Sequence, residues 1–226
     1  MASHVPILRL RDRREGGIQL ARRLSSYRRA AEAIVLALPR GGVPVAYEVA
    51  LALEVPLDIF TVRKLGVPGH EELAMGAIAS GGVYLLNADV IDSLRIPRED
   101  VLAEIERERH ELDRRELLYR AGLPERGLRG KTVILVDDGV ATGASIAVAI
   151  AAVRRSDPAR IVAAVPVGSA AACRKLREQA DETICVQMRE PFFSVGTWYE
   201  DFDQTTDDEV RALLKAAAAR QLPGPA

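Results

Sequence analysis

The sequence predicts an open α/β fold, a mostly parallel sheet with helices on both faces. Short, almost wholly apolar runs alternate with helical stretches along most of the chain, as strands buried on both sides of a parallel sheet require. Aromatic residues make up only 4%, so the core must be built mainly from Ala, Val, Leu and Ile. A length of 226 residues fits one fairly large domain, residues 1–226, with no internal repeat and no linker.

The elements follow in order. Arg9 to Arg29 holds eight Arg against Asp12 and Glu15, and such charge runs are ordinarily solvated helix faces, although a nucleic-acid arm shares the composition. Ile34 to Leu38 reads as a buried strand, followed by Pro39-Arg40-Gly41-Gly42 and a helix from Val43 to about Leu53. Leu57 to Val62, with β-branched Ile59, Thr61 and Val62, reads as the second strand. Lys64 to Gly82 is rich in Gly and has no sustained period, and Val83 to Leu86 forms a short strand. Fourteen of the 23 residues from Arg98 to Arg120 are charged, with one apolar stripe of Val101, Ile105 and Leu112. That pattern predicts an exposed helix with a solvated outer face and His110 as ordinary surface. Lys131 to Val136 is the third buried strand, Asp137 to Ala144 a turn-rich loop, and Ser145 to Arg155 a buried helix. Ile161 to Val167 and Thr183 to Gln187 are further strands, joined by a helix over Ser169 to Gln179, and the tail from Leu222 frays.

Composition narrows the functional classes. Lys plus Arg is 31 against 32 for Asp plus Glu, a balance that argues against a general nucleic-acid coat. The longest purely apolar run, Ile146 to Val153, is eight residues, far short of the roughly 20 that a membrane helix needs. No basic-then-apolar leader opens the chain. Cys173 and Cys185 are too few for a disulfide framework and lack metal-ligand spacing, which makes a reducing cytoplasm the default.

The segment carrying chemistry is Val133-Ile134-Leu135-Val136-Asp137-Asp138-Gly139-Val140-Ala141-Thr142-Gly143-Ala144-Ser145. A hydrophobic strand delivers two adjacent carboxylates at its carboxyl end, where ligands of open α/β sheets bind. The Gly/Thr/Ser loop then enters a helix, so Ala141 to Ser145 can wrap an anion with backbone N–H groups and with the Thr142 and Ser145 hydroxyls. Two acids beside a phosphate cradle would repel phosphate unless they serve something else, and the adjacent hydroxyls of a sugar suit them. Asp137 to Ser145, including Gly139, Val140, Gly143 and Ala144, therefore reads as a ribose 5-phosphate site. A Walker loop is excluded by the missing Gly-Lys-Ser/Thr ending, and a dinucleotide loop by the missing G-x-G-x-x-G spacing.

This stretch resembles the phosphoribosyl-pyrophosphate signature of the type I phosphoribosyltransferases, and the chain from about Arg11 to Lys215 is similar to uncharacterised bacterial members of that family. The resemblance implies the type I phosphoribosyltransferase fold with a small hood. Similar Arg-Gly-Gly loops in the family, commonly with a strained or cis peptide, hold pyrophosphate, which assigns Pro39, Arg40, Gly41 and Gly42 to that role, with Arg63 and Lys64 assisting. The family's mobile flap maps to about residues 64–82, where His70, Glu71 and Glu72 lie, and Glu71 and Glu72 are candidate catalytic groups. The hood maps to about residues 190–203; it brings Val195 and Trp198 to the base, and Trp198 serves either by stacking on it or by packing the hood. Asp137 and Asp138 would be catalytic, would hold Mg²⁺ and would position the ribose hydroxyls. Ala141 stands where hypoxanthine and guanine enzymes carry an Asp, whereas adenine-type members also carry Ala.

The implied reaction is displacement of pyrophosphate from carbon 1 of phosphoribosyl pyrophosphate by a nitrogenous acceptor, with inversion. The expected setting is a cytoplasmic homo-oligomer, a homodimer in its simplest form, with neither membrane nor nucleic-acid partner. Two rivals use the same site: a regulator that senses phosphoribosyl pyrophosphate without catalysis, and a hydrolase or phosphorylase of phosphoribosyl compounds. An added DNA-binding segment, which would favour the regulator, is not evident.

Overall fold

The computed structural model describes residues 9–123 and 126–221, without the side chains of Glu71, Glu72 and Gln221; the tail from Leu222 lies outside the described residues. The elements are α1 (Arg13–Arg23), β1 (Ala33–Ala37), α2 (Gly42–Leu53), β2 (Leu57–Ile59), β3 (Val62–Val67), β4 (His70–Ala79), β5 (Val83–Leu86), α3 (Ala88–Leu94), α4 (Arg98–Arg120), β6 (Thr132–Val136), α5 (Ala144–Arg154), β7 (Arg160–Ser169), α6 (Ala170–Arg177), β8 (Glu182–Arg189) and α7 (Asp207–Gln221). Five strands form one sheet in the order β2-β1-β6-β7-β8, every adjacent pair parallel. The chain leaves β1 toward β2 on one side, and β6 enters on the other. Strand order therefore reverses between β1 and β6.

Apolar residues on successive positions serve two cores because strand side chains alternate between faces. Ala33, Val35 and Ala37 of β1, with Ile134 and Val136 of β6, pack against α1, α2 and α7. Ile34 and Leu36, with Val133 and Leu135, pack against α5 and α6. Both faces being dry, the strands read as continuous apolar runs, and the expected strands and their helices stand within two residues of prediction at most ends.

Three expectations are corrected. Strand two ends at Ile59, and Lys64 to Gly82 is no irregular loop: β3, β4 and β5 build a separate antiparallel sheet whose first hairpin turns at Pro68-Gly69. Its period is hidden because the register shifts on both sides of Gly66. Leu65, Val67, Met75 and Ile78 pack on α3 and α4, whereas Ala79 joins the α5 core. Second, α4 is not merely a solvated helix. Its buried Glu104 accepts from the Gly66 N–H at 3.3 Å, Glu108 pairs with Arg63, and Glu116 accepts from the Ser80 hydroxyl, so its acids brace the antiparallel sheet. His110 is exposed, as expected. Third, the two cysteines meet in a disulfide that ties α6 to β8, a single staple rather than a framework. Alternation turns Cys185 toward the α5–α6 face, where Cys173 is buried.

The helices α3 and α7 have no counterpart in the sequence analysis; both are capped, α3 by Asn87 accepting from Val90 N and α7 by Thr206 accepting from Glu209 N. Among the described residues no helix is long and apolar enough to cross a membrane.

At the sheet's far edge Tyr27 donates to Glu182 Oε2 at 2.5 Å, and burial together with that carboxylate pushes the phenol up to about 12. An unfolded tyrosine ionises near 10, so this contribution is complete below about pH 10 and is lost as pH rises toward the folded value. Urea midpoints of wild type should fall more steeply between about pH 10 and pH 12 than those of Tyr27→Phe. Parallel declines would refute the assignment.

Candidate functional site

The loops after β1 and β6 stand side by side at the carboxyl edge, at the point where strand order reverses. Ligands of open α/β sheets bind there. Leu38 N donates to Val136 O at 2.9 Å, which locks the Pro39–Gly42 loop beside the acid pair. The Pro39–Arg40 peptide is cis. Gly41 has no room for a side chain: a Cβ there would collide with Asp138 Oδ2. The two motifs are thus one surface, and glycine is what lets the first loop close on the second.

Asp137 and Asp138 leave β6 into a crowded setting. Asp137 Oδ1 accepts from Asp138 N at 2.9 Å. Asp138 Oδ2 accepts from Arg13 Nε at 2.9 Å, the Arg13 and Asp138 side chains being 12% and 13% exposed. Burial raises the Asp137 carboxyl well above the ordinary range, and repulsion from Asp138 adds to it. Burial raises Asp138 too, opposed by the Arg13 charge. Tyr199 donates its hydroxyl to Asp138 O at 2.5 Å, and burial pushes its pKa up, so it stays a donor.

The loop from Gly139 to Ser145 has an anchored base and an open rim. Val140 N donates to Val167 O at 3.0 Å, Ser169 N to Val140 O at 2.9 Å, and the Ser169 hydroxyl to Ala141 O at 2.7 Å. Ala141, Thr142, Ala144 and Ser145 are exposed, and Gly143, with φ of 77°, starts α5. The open first turn of α5 offers N–H groups to an anion. Thr142 Oγ1 already accepts from Ala144 N, at 3.4 Å.

The remaining expected site residues are distributed as follows. Lys64 lines a cleft of about 370 Å³ together with Asn87, Leu86 and the α5 residues Ala144 and Ser145, which puts it by the start of α5. Arg63, one residue earlier on β3, faces the other way and pairs with Glu108 of α4, so the structure brings only one of the two cations to the loop. Arg40 is 37% exposed with Nη1 3.5 Å from Asp207. Val195 sits over the acid loop, its Cγ1 2.6 Å from where a Cβ on Gly139 would be. Trp198 is only 7% exposed, with Phe192 stacked at 5.9 Å and the Arg189 guanidinium 5.1 Å from its ring centroid, which is the hood-packing arrangement. Glu71 and Glu72 lie on β4, but their side chains are outside the described residues.

Arg13 and Tyr199 escaped the sequence reading. The signal for Arg13 was a cation in the first turn of a helix, where the macrodipole disfavours it. Its neighbours in the arginine-rich stretch are engaged otherwise: Arg14 pairs with Glu48, and Arg28 and Arg29 pair with Glu54. Those three arginines thus stand in exposed ion pairs.

A family model described as the phosphoribosyl transferase domain matches residues 68–201. The chain belongs to the phosphoribosyl transferase family. Two Mycobacterium tuberculosis relatives, "Putative phosphoribosyl transferase MT0597" of strain CDC 1551 and "Putative phosphoribosyl transferase Rv0571c" of strain H37Rv, are each 43% identical over 206 residues, 91% of this chain. That alignment covers 46% of each relative, so the chain spans about half the length of these curated phosphoribosyl transferase relatives. The crystal structure of TT1426 from Thermus thermophilus superposes with a TM-score of 0.78 at 41% identity, over 91% of this chain and 97% of that one.

Proposed function

We propose that this chain binds phosphoribosyl pyrophosphate across the β1–β6 switch point and transfers its phosphoribosyl group to a nitrogenous base or related acceptor, releasing pyrophosphate. The observation that carries this reading is the contact of the two motifs: a paired-carboxylate loop and an Arg-Gly-Gly loop closed on each other beside an exposed helix N-terminus. Family membership supports it.

The chain's own groups divide the ligand. The rim from Ala141 to Ser145 holds the 5′-phosphate. Asp137 and Asp138 accept from the ribose hydroxyls and offset positive charge that develops on the ring as the bond to carbon 1 breaks. Arg40, with the N–H groups of Gly41 and Gly42, receives the leaving pyrophosphate, and Lys64 adds a cation from the antiparallel sheet. Among the described residues no three or more His, Cys, Asp or Glu side chains gather as a metal cage. Two adjacent carboxylates fit Mg²⁺ nonetheless, because that ion is commonly held by one or two carboxylates plus substrate phosphates. Asp137 and Asp138 would hold it, and it would supply charge neutralisation for pyrophosphate.

Replacing both acids by Asn keeps their size and removes charged acceptors. Calorimetric titration with phosphoribosyl pyrophosphate and Mg²⁺ should show affinity lower by ~1–3 kcal/mol for each bond lost. Unchanged affinity in the double variant would remove the basis of the assignment.

For the acceptor, Ala141 carries a methyl group that cannot exchange a proton with a purine imidazole nitrogen. We infer that adenine or an adenine-like heterocycle is the better acceptor. Pyrophosphate release across a panel of bases checks this: robust turnover of hypoxanthine or guanine with none of adenine would overturn it. Release without any base would instead favour a hydrolase, and tight binding without release a sensor.

A further inference from the structure

We propose that Arg13 is a positioning residue that aims Asp138 and keeps the aromatic hood in register with it, so that occupancy of the acid pair is felt at Trp198. The proposal deepens the phosphoribosyl reading of the site and rests on it for its ligand.

One guanidinium makes three unlike contacts. Its Nε donates to Asp138 Oδ2 at 2.9 Å, its Nη1 donates to Asp203 O at 2.6 Å, and its plane lies 3.9 Å from the Phe202 ring centroid. The first partner belongs to the ribose-holding loop, and the other two belong to the hood. Arg13 is nearly buried and stands on α1, whose start is fixed by Asp12 accepting from Glu15 N at 2.7 Å. Its base is therefore rigid. Phe202 in turn stacks on Tyr199 at 5.1 Å, and Tyr199 bonds the Asp138 carbonyl. Leu10, three residues before Arg13, donates to Trp198 O at 2.9 Å. The hood is thus fastened to the acid pair through Arg13 and Tyr199, and to the N-terminal segment through Leu10.

Chemistry favours Arg over Lys here. A planar fork can serve a carboxylate and a carbonyl at once while its face rests on an aromatic ring, whereas an ammonium cannot. A cation in the first helical turn is opposed by the macrodipole, and Asp138 supplies the compensating charge. With Oδ2 occupied by Arg13, the other Asp138 oxygen and Asp137 are left to meet a ligand. Arg13 touches no reacting atom in this arrangement and acts through Asp138 and the hood.

Trp198 is the chain's one tryptophan and reports on the hood directly. Titration of wild type with phosphoribosyl pyrophosphate and Mg²⁺ should shift Trp198 emission with the midpoint found by calorimetry. Arg13→Lys preserves the charge, so it should bind the ligand within about threefold of wild type yet lose the emission response. Arg13→Ala should also weaken binding, by about tenfold. Arg14→Ala, on the same helix and paired with Glu48 on α2, should leave both readouts unchanged. A wild-type emission response in Arg13→Lys would overturn the proposal, as would an equal loss of response in Arg14→Ala. If wild type shows no calorimetric binding, the phosphoribosyl reading fails by itself, and the ligand-free emission of Arg13→Lys, Asp138→Asn and the double variant still decides the positioning role. A double-variant shift no larger than either single shift supports coupling through Asp138, and additive shifts refute it.

Discussion

Two carboxylates held side by side in a largely dry strand end are the constraint around which this molecule is arranged. Removing one ionised carboxylate from water is costly, and placing a second beside it adds repulsion. Asp137 and Asp138 persist because the Asp138 N–H, the Arg13 guanidinium and the backbone of the first loop converge on them. The groups that close on the pair from outside it come from different parts of the chain. α1 supplies the cation, β1 supplies the loop that only a glycine lets approach, and the hood supplies a tyrosine that fixes the strand end. An arrangement so unfavourable without a ligand is characteristic of a site that binds one.

The antiparallel sheet changes how closure of the site is understood. A disordered flap would contribute a lid and little else. Here β3 to β5 are paired, packed on α3 and α4, and braced by three carboxylates of α4. Side-chain alternation on β3 then sorts two adjacent cations, Arg63 to the brace and Lys64 to the cleft beside α5. A single residue of register decides which charge reaches that cleft.

The parallel core was legible because its strands are buried on both faces, which makes Ile34 to Leu38 and Lys131 to Val136 unmistakable apolar runs. Both loops of the site were legible because glycines and paired acids follow directly after such runs. The antiparallel sheet was not, since the register shifts around Gly66 break its period. Charge alone likewise misrepresented α4, where Glu104 and Glu108 turn inward to partners more than 35 residues away in sequence. Arg13 was hidden for the same reason: its partner lies 125 residues downstream, and only the fold brings them together.

The account is tested most directly by a crystal structure of the protein soaked with phosphoribosyl pyrophosphate and Mg²⁺. It predicts the 5′-phosphate on the N–H groups from Ala141 to Ser145, the ribose hydroxyls on Asp137 and Asp138, and pyrophosphate beside Arg40. Density for the ligand elsewhere, with the loop from Asp137 to Ser145 empty, would contradict it.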